Sequence, residues 1–222
     1  MKAKINKELQ KYIEENILAQ YDKNNVGGHG RAHIDTVINR SFEIIEEFNL
    51  DVDPDMIYTI ASFHDIGYRI DPDRHEEVSS EMFMQDKNLK KYFNATQLTL
   101  MSEAIVDHRA SLEYDARNIY GKVVSSADRE IDVENMLRRS ILYQADKHSA
   151  ENPTEDQVIE YSFKKLSSKY GKGGYAKMYY PDKKYTDYLE RMQNLFADKN
   201  NFIEAEKALI RKEGLLTPTP QK

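Results

Sequence analysis

Six side chains with metal-binding chemistry are spread through the first 130 positions: His33, the adjacent pair His64 and Asp65, His75, His108 and Asp128. The pair lies inside "YTIASFHDIGYRID", residues 58–71, a stretch apolar enough to be buried. His33, His108 and Asp128 also sit within or beside apolar or small residues. A lone imidazole or carboxylate is costly to bury there. A shared divalent cation removes several of these costs together, because neutral imidazoles and ionised carboxylates are its preferred ligands. Adjacent helical residues point about 100° apart, so His64 and Asp65 can both reach a cation lying over the groove between them. The remaining ligands must come from other helices. His33, from the helix before, and Asp128, from far downstream, complete that set.

The elements that must position these residues read as helices. Apolar residues recur at three- and four-residue spacing, as in Ile34, Val37, Ile38, Ile44, Ile45 and Phe48, and no run alternates long enough to require a strand. The sequence therefore predicts an all-α fold, with helices near 5–20, 31–48, 54–68, 74–86, 96–110, 117–130, 132–149, 155–169 and 182–212. The last is expected to break near Asp198. Asp53-Pro54, Asp71-Pro72, Asn94 and Asn152-Pro153-Thr154 mark helix starts. "NNVGGHGRAH" is a Gly-rich entry to the second helix, and the Lys/Gly/Tyr stretch 164–185 reads as a loop. One helical domain is expected over 1–216, with 217–222, "TPTPQK", as a disordered tail.

Composition narrows the function. With no cysteine in 222 residues, thiolate metal sites, disulfides and cysteine nucleophiles are excluded. Any metal must be held by nitrogen and oxygen. A net charge of −6 disfavours nucleic acid as the general partner, although a local basic cleft is compatible with it. The N-terminus mixes Lys and Glu through its apolar residues, so neither a signal peptide nor a membrane anchor is expected, and the chain is read as cytoplasmic.

"HIDTV" at His33, "FHDIG" at His64-Asp65 and "VVSSADR" at Asp128 resemble, in order and in helical context, the H…HD…D signature of the HD-domain metal-dependent phosphohydrolases. The resemblance covers about 28–132. It implies an HD-type helical bundle, here with additional C-terminal helices, and a first metal held by His33, His64, Asp65 and Asp128. "HEEVSSEMF" at His75 and "AIVDHR" at His108 resemble the two further histidines of the binuclear members, among them HD-GYP phosphodiesterases and HD-type diadenosine tetraphosphate hydrolases. They imply a second metal, with Asp65 as the bridge. The pattern departs from the family in two places. Many members read HDIGK where this chain has Tyr68 followed by Arg69, and the Glu-Asp pair of the (p)ppGpp hydrolases is missing after the HD pair.

The expected activity is hydrolysis of a phosphate ester or anhydride, with one or two Mn, Fe, Mg or similar ions and a small phosphorylated substrate, a nucleotide by family analogy. Asp65 and Asp128 are the expected catalytic carboxylates, joined by Arg69, Arg109 and Arg129, whose guanidinium groups suit phosphate. His29 reads as a turn residue. The lysines of 164–185 suggest an anion-binding lid, against a solvated surface as the plainer reading. A non-catalytic nucleotide sensor, an HD-type nuclease and an HD-fold di-iron oxygenase are the alternatives. The oligomeric state is not legible.

Overall fold

A computed structural model describes residues 4–22 and 29–216. The first five residues of the Gly-rich entry and the expected tail 217–222 lie outside the described residues. The expected all-α class holds: among the described residues there are helices and no strand. No helix among them is long and apolar enough to cross a membrane. The chain gathers into two compact units, a division that the reading of 1–216 as one domain did not draw. Of the described residues, one takes those up to 129 together with 177–182, and the other takes 130–176 and those from 183 onwards.

The first unit is built from α1 (Lys7–Ile13), which continues through a π-helical turn Glu14–Leu18 into α2 (Ala19–Asp22), then α3 (Arg31–Glu47), α4 (Pro54–Phe63), α5 (His75–Gln85), α6 (Ala95–Val106) and α7 (Ile119–Ala127). Every residue of α4 from Met56 to Phe63 is buried, so this helix has no solvent face and must lie at the centre. It packs against α1, α3, α5, α6 and α7. Its two aliphatic hydroxyls are satisfied within the helix, Thr59 donating to the Asp55 carbonyl and Ser62 to that of Tyr58. The start reads from the sequence: Asp53 caps the Asp55 amide and Pro54 fills the first turn.

The end of α4 differs from expectation. The helix stops at Phe63 rather than running to 68, and His64 is its C-cap. Residues 64–70 form tight turns, with the Ile66, Tyr68 and Ile70 amides donating to the carbonyls of Phe63, Asp65 and Gly67. These turns, and not the helical groove expected above, bring the His64 ring and the Asp65 carboxylate together. Gly67 makes them possible, because a Cβ there would come within 2.8 Å of the His75 carbonyl oxygen and 2.7 Å of the Ser79 nitrogen. Only a glycine lets the turn lie against the start of α5.

The second unit holds α8 (Val133–Lys147), α9 (Glu155–Tyr170), α10 (Lys183–Ala197) and α11 (Lys199–Glu213). Thr154 and Gln157 form a capping box at α9, and Asp198 caps α11 where the break was expected. Among the apolar side chains of this unit's interior lies Glu206, fully buried. Its Oε1 is 2.5 Å from the Ser162 hydroxyl, which is 2.7 Å from the Ser140 hydroxyl, while Oε2 has no partner among the described residues. Burial pushes this carboxyl up to about 8, against the pull of the Ser162 hydrogen bond. The folded chain thus keeps a proton that the unfolded chain releases near 4.5, so stability is fully present below that pH and falls as pH rises towards about 8. Glu206→Gln is expected to melt like wild type at pH 5 and to be more stable at pH 9, by on the order of a few kcal/mol; equal melting temperatures at pH 9 would contradict this.

Candidate metal centre

All six predicted ligands belong to the first unit, and each sits at or near a helix end. His33 is the third residue of α3, and His75 the first of α5. His64 and Asp128 are the C-caps of α4 and α7, and His108 follows Asp107, the C-cap of α6. Carbonyls in the last turn of a helix lack intrahelical partners. The imidazoles use this: Nδ1 of His64 donates to the Ala61 carbonyl at 2.8 Å and Nδ1 of His108 to that of Ile105 at 2.6 Å. His75 Nδ1 donates likewise to the Pro72 carbonyl at 3.0 Å. A carbonyl can only accept, so Nδ1 carries the proton in all three rings and Nε2 of the neutral ring is a lone pair. All three lone pairs point at Asp65.

Two clusters result. Asp65 Oδ2 lies 3.1 Å from His64 Nε2 and 3.2 Å from His33 Nε2, and Asp128 Oδ1 lies 3.2 Å from His33 Nε2. Asp65 Oδ1 faces Nε2 of His75 and of His108, each at 3.5 Å, and those nitrogens are 3.2 Å apart. At 3.5 Å neither ring makes a good hydrogen bond to Oδ1, and this buried oxygen has no hydrogen-bond partner among the described residues. A buried carboxylate oxygen beside two converging lone pairs repels them, and a divalent cation reverses the sign of every one of these contacts. With metal–nitrogen bonds of about 2.1 Å, neighbouring ligand atoms lie about 3.0–3.4 Å apart, which fits the first cluster and nearly fits the second. The residues therefore suit a cation in each cluster, His33, His64, Asp65 and Asp128 in one and Asp65, His75 and His108 in the other.

The electrostatics agree. Although burial works against its charged form, the Asp128 and Asp65 carboxylates raise His33 to about 10. Burial also opposes the charge on Asp65, yet the facing histidines, His64 first, hold it well below the usual carboxylate range. Asp128 is lowered in the same way by His33. Burial and then the neighbouring His108 push His75 down, whereas Asp65 raises His108 against its burial. The carboxylates favour positive charge at the first cluster and at His108 of the second, while burial and His108 oppose it at His75.

The predicted arginines have separate placements. Arg129 does not stand at the mouth of the site. It is buried, with Nη2 donating to the His108 carbonyl at 2.8 Å and to the Ser125 hydroxyl at 2.6 Å, and Nε to the Lys177 carbonyl at 3.1 Å. Its Nη1 reaches Asp128 Oδ2 at 3.4 Å, so the oxygen turned towards His33 is the other one. Arg109 is part-exposed beside His108, with Nη1 donating to Glu76 Oε1 and to the Asp73 carbonyl, both at 2.6 Å. Arg69 is exposed on the turn after Asp65 and lines a cavity of about 50 Å³ with His29, Asp65, Tyr68 and Met82.

His29 was read as a turn residue, yet its Nδ1 lies 2.5 Å from Asp65 Oδ2 and its ring stacks on Tyr68 at 3.9 Å. Its position four residues before His33 was the one available signal. Glu76 was not singled out either; the signal was its place beside His75. Lys164, Lys165 and Lys169 of the expected lid lie on α9, and Lys177 and Lys183 are paired with Asp115 and Asp187.

Protons and the cation compete for the same lone pairs, so affinity for Mn²⁺ is expected to rise with pH between 6 and 9, by about tenfold per pH unit for each proton displaced. Titration calorimetry in buffers of different ionisation enthalpy measures both quantities. A pH-independent affinity would contradict ligation by these imidazoles.

Among known proteins, the family model of the HD domain matches residues 31–151, more than half of the chain, starting near the 28 and ending beyond the 132 read from the motifs. No curated protein and no solved structure matches. With that match and the H…HD…D residues gathered at one point, the chain belongs to the HD-domain family.

Proposed function

We propose that the protein is a metal-dependent phosphohydrolase that cleaves a phosphate ester or anhydride of a small phosphorylated substrate, of which a nucleotide is the favoured class. The observation that carries this reading is the orientation of Asp65, whose two oxygens each face a separate set of imidazole nitrogens. His33, His64, Asp65 and Asp128 would hold one divalent ion and Asp65, His75 and His108 a second. Such ions neutralise charge on phosphoryl oxygens and lower the pKa of water.

The chain's own groups supply the rest. Glu76 and the Asp73 carbonyl hold one nitrogen of Arg109, which fixes the guanidinium plane next to His108 and leaves its other N–H groups to grip a phosphoryl oxygen. Arg69, on the cavity that Asp65 also lines, is the second group placed to meet an anion. Arg129 contributes by orientation, since it holds Asp128 and the His108 backbone in register. Asp65 is ionised throughout the neutral range, so it is suited to hold a cation and unsuited to donate a proton.

The test is phosphate and pyrophosphate release, with Mn²⁺, from nucleoside mono-, di- and triphosphates, dinucleoside polyphosphates and an aryl phosphate. Turnover of at least one substrate is expected, and Asp65→Ala should lower it by about 10³-fold or more. Equal rates in both proteins, or no turnover of any substrate, would sink the assignment. On the best substrate, Arg109→Ala is expected to lower kcat/KM by about 10²-fold, and Glu76→Gln, which only releases the arginine, by about tenfold. If Arg109→Ala left kcat/KM unchanged, phosphate recognition would have to be assigned elsewhere.

A further inference from the structure

Arg40 lies on α3 seven residues, about two helical turns, after His33. It is buried, and its guanidinium reaches the far end of the site. Nη1 donates to the Arg129 carbonyl at 2.5 Å and to the Ala127 carbonyl at 3.4 Å, the two carbonyls on either side of Asp128. Nη2 donates to Asp182 Oδ2 at 2.9 Å, and Asp182 is itself buried.

Asp182 ends the segment 177–182, which belongs to the first unit while the residues before and after it belong to the second. This segment is fastened along the end of α7. The Tyr179 and Tyr180 amides both donate to the Ser126 hydroxyl at 3.2 Å, Arg129 Nε donates to the Lys177 carbonyl, and the Tyr179 hydroxyl accepts the Ala116 amide at 2.8 Å. Ser126, Ala127 and Arg129, the residues around Asp128, are thus each tied down by Arg40 or by this segment.

An ion pair so deeply buried gives back in desolvation much of what it gains in attraction, so stability alone is a weak reason for it. Arg40 Nε, moreover, is buried without a hydrogen-bond partner among the described residues. What the pair does secure is geometry. The last carbonyls of a helix are otherwise free to fray, and here they flank the side chain that must meet His33 and His64.

We infer that Arg40 and Asp182 are positioning residues for Asp128: together they brace the C-terminal cap of α7 so that Asp128 Oδ1 stays within reach of His33 and His64. This rests on the metal-binding reading of the site. The brace extends to the second cluster, because Arg129, whose carbonyl Arg40 holds, also holds the carbonyl of His108.

The experiment uses the full chain and needs no substrate. Mn²⁺ binding is measured by calorimetry and Co²⁺ coordination by visible absorption, for wild type, Asp182→Asn, Arg40→Lys and a control, Ile44→Val, which trims a fully buried core residue of the same helix. Asp182→Asn and Arg40→Lys are expected to weaken binding at the cluster containing Asp128 about 10–100-fold and to alter the Co²⁺ spectrum. Ile44→Val should do neither at a comparable loss in Tm. If Asp182→Asn fails to fold, Ser126→Ala, which removes the anchor of Tyr179 and Tyr180, carries the same comparison. Unchanged affinity and spectrum in the brace variants, or a loss matched by Ile44→Val, would overturn the inference and leave the metal site standing. A wild type that binds neither ion would instead overturn the metal-binding reading itself.

Discussion

The structure of the first unit turns on one carboxylate. Asp65 is almost wholly buried at the centre of an apolar helical core, and its two oxygens face two groups of imidazole nitrogens. A buried charge is tolerated only where its surroundings compensate it, and the imidazoles around Asp65 do so in part. Four histidines, His33, His64, His75 and His108, come within 3.5 Å of it, and His29 closes on it from outside the cluster. The same arrangement places lone pairs against one another, so that a divalent ion satisfies what protons satisfy only in part.

Helix ends are the means by which this is built. An imidazole in mid-helix finds its backbone neighbours already paired, whereas at the last turn free carbonyls are available to fix Nδ1. His64 and His108 use such carbonyls, and His75 uses the turn before α5. The C-terminal ends of α4, α6 and α7 also bring the negative ends of three helix dipoles to the site, which favours a cation there. Gly67 has its place in the same construction, because the turn carrying Asp65 must touch the backbone at the start of α5.

Arginine placement shows how far chemistry can be assigned from residue type. Arg109 and Arg129 each directly follow a ligand, and from the sequence they were equivalent candidates for gripping phosphate. In the fold Arg129 turns inward onto backbone carbonyls, whereas Arg109 stays part-exposed against Glu76. The difference lies in what each backbone position faces: the end of α7 meets the segment 177–182, and the residue after His108 meets the start of α5.

The all-α class, most helix limits and the six candidate ligands were legible in the sequence itself, His75 and His108 through their resemblance to the binuclear pattern. Helical periodicity, caps such as Asp53-Pro54 and Asn94, and polar residues set among apolar ones are local signals, carried by neighbours within one or two turns. Only the tertiary structure decided where α4 ends, that His29 touches Asp65, that Glu76 holds Arg109, and that Arg40 and Asp182, 142 positions apart, meet behind Asp128. Such contacts join segments distant in the chain, and a single sequence carries no record of which distant groups its packing brings together. The candidate ligands were legible because polar residues among apolar ones and the order of the H…HD…D motifs single them out; their supports were not, because an arginine or an aspartate becomes a brace only through what it is packed against.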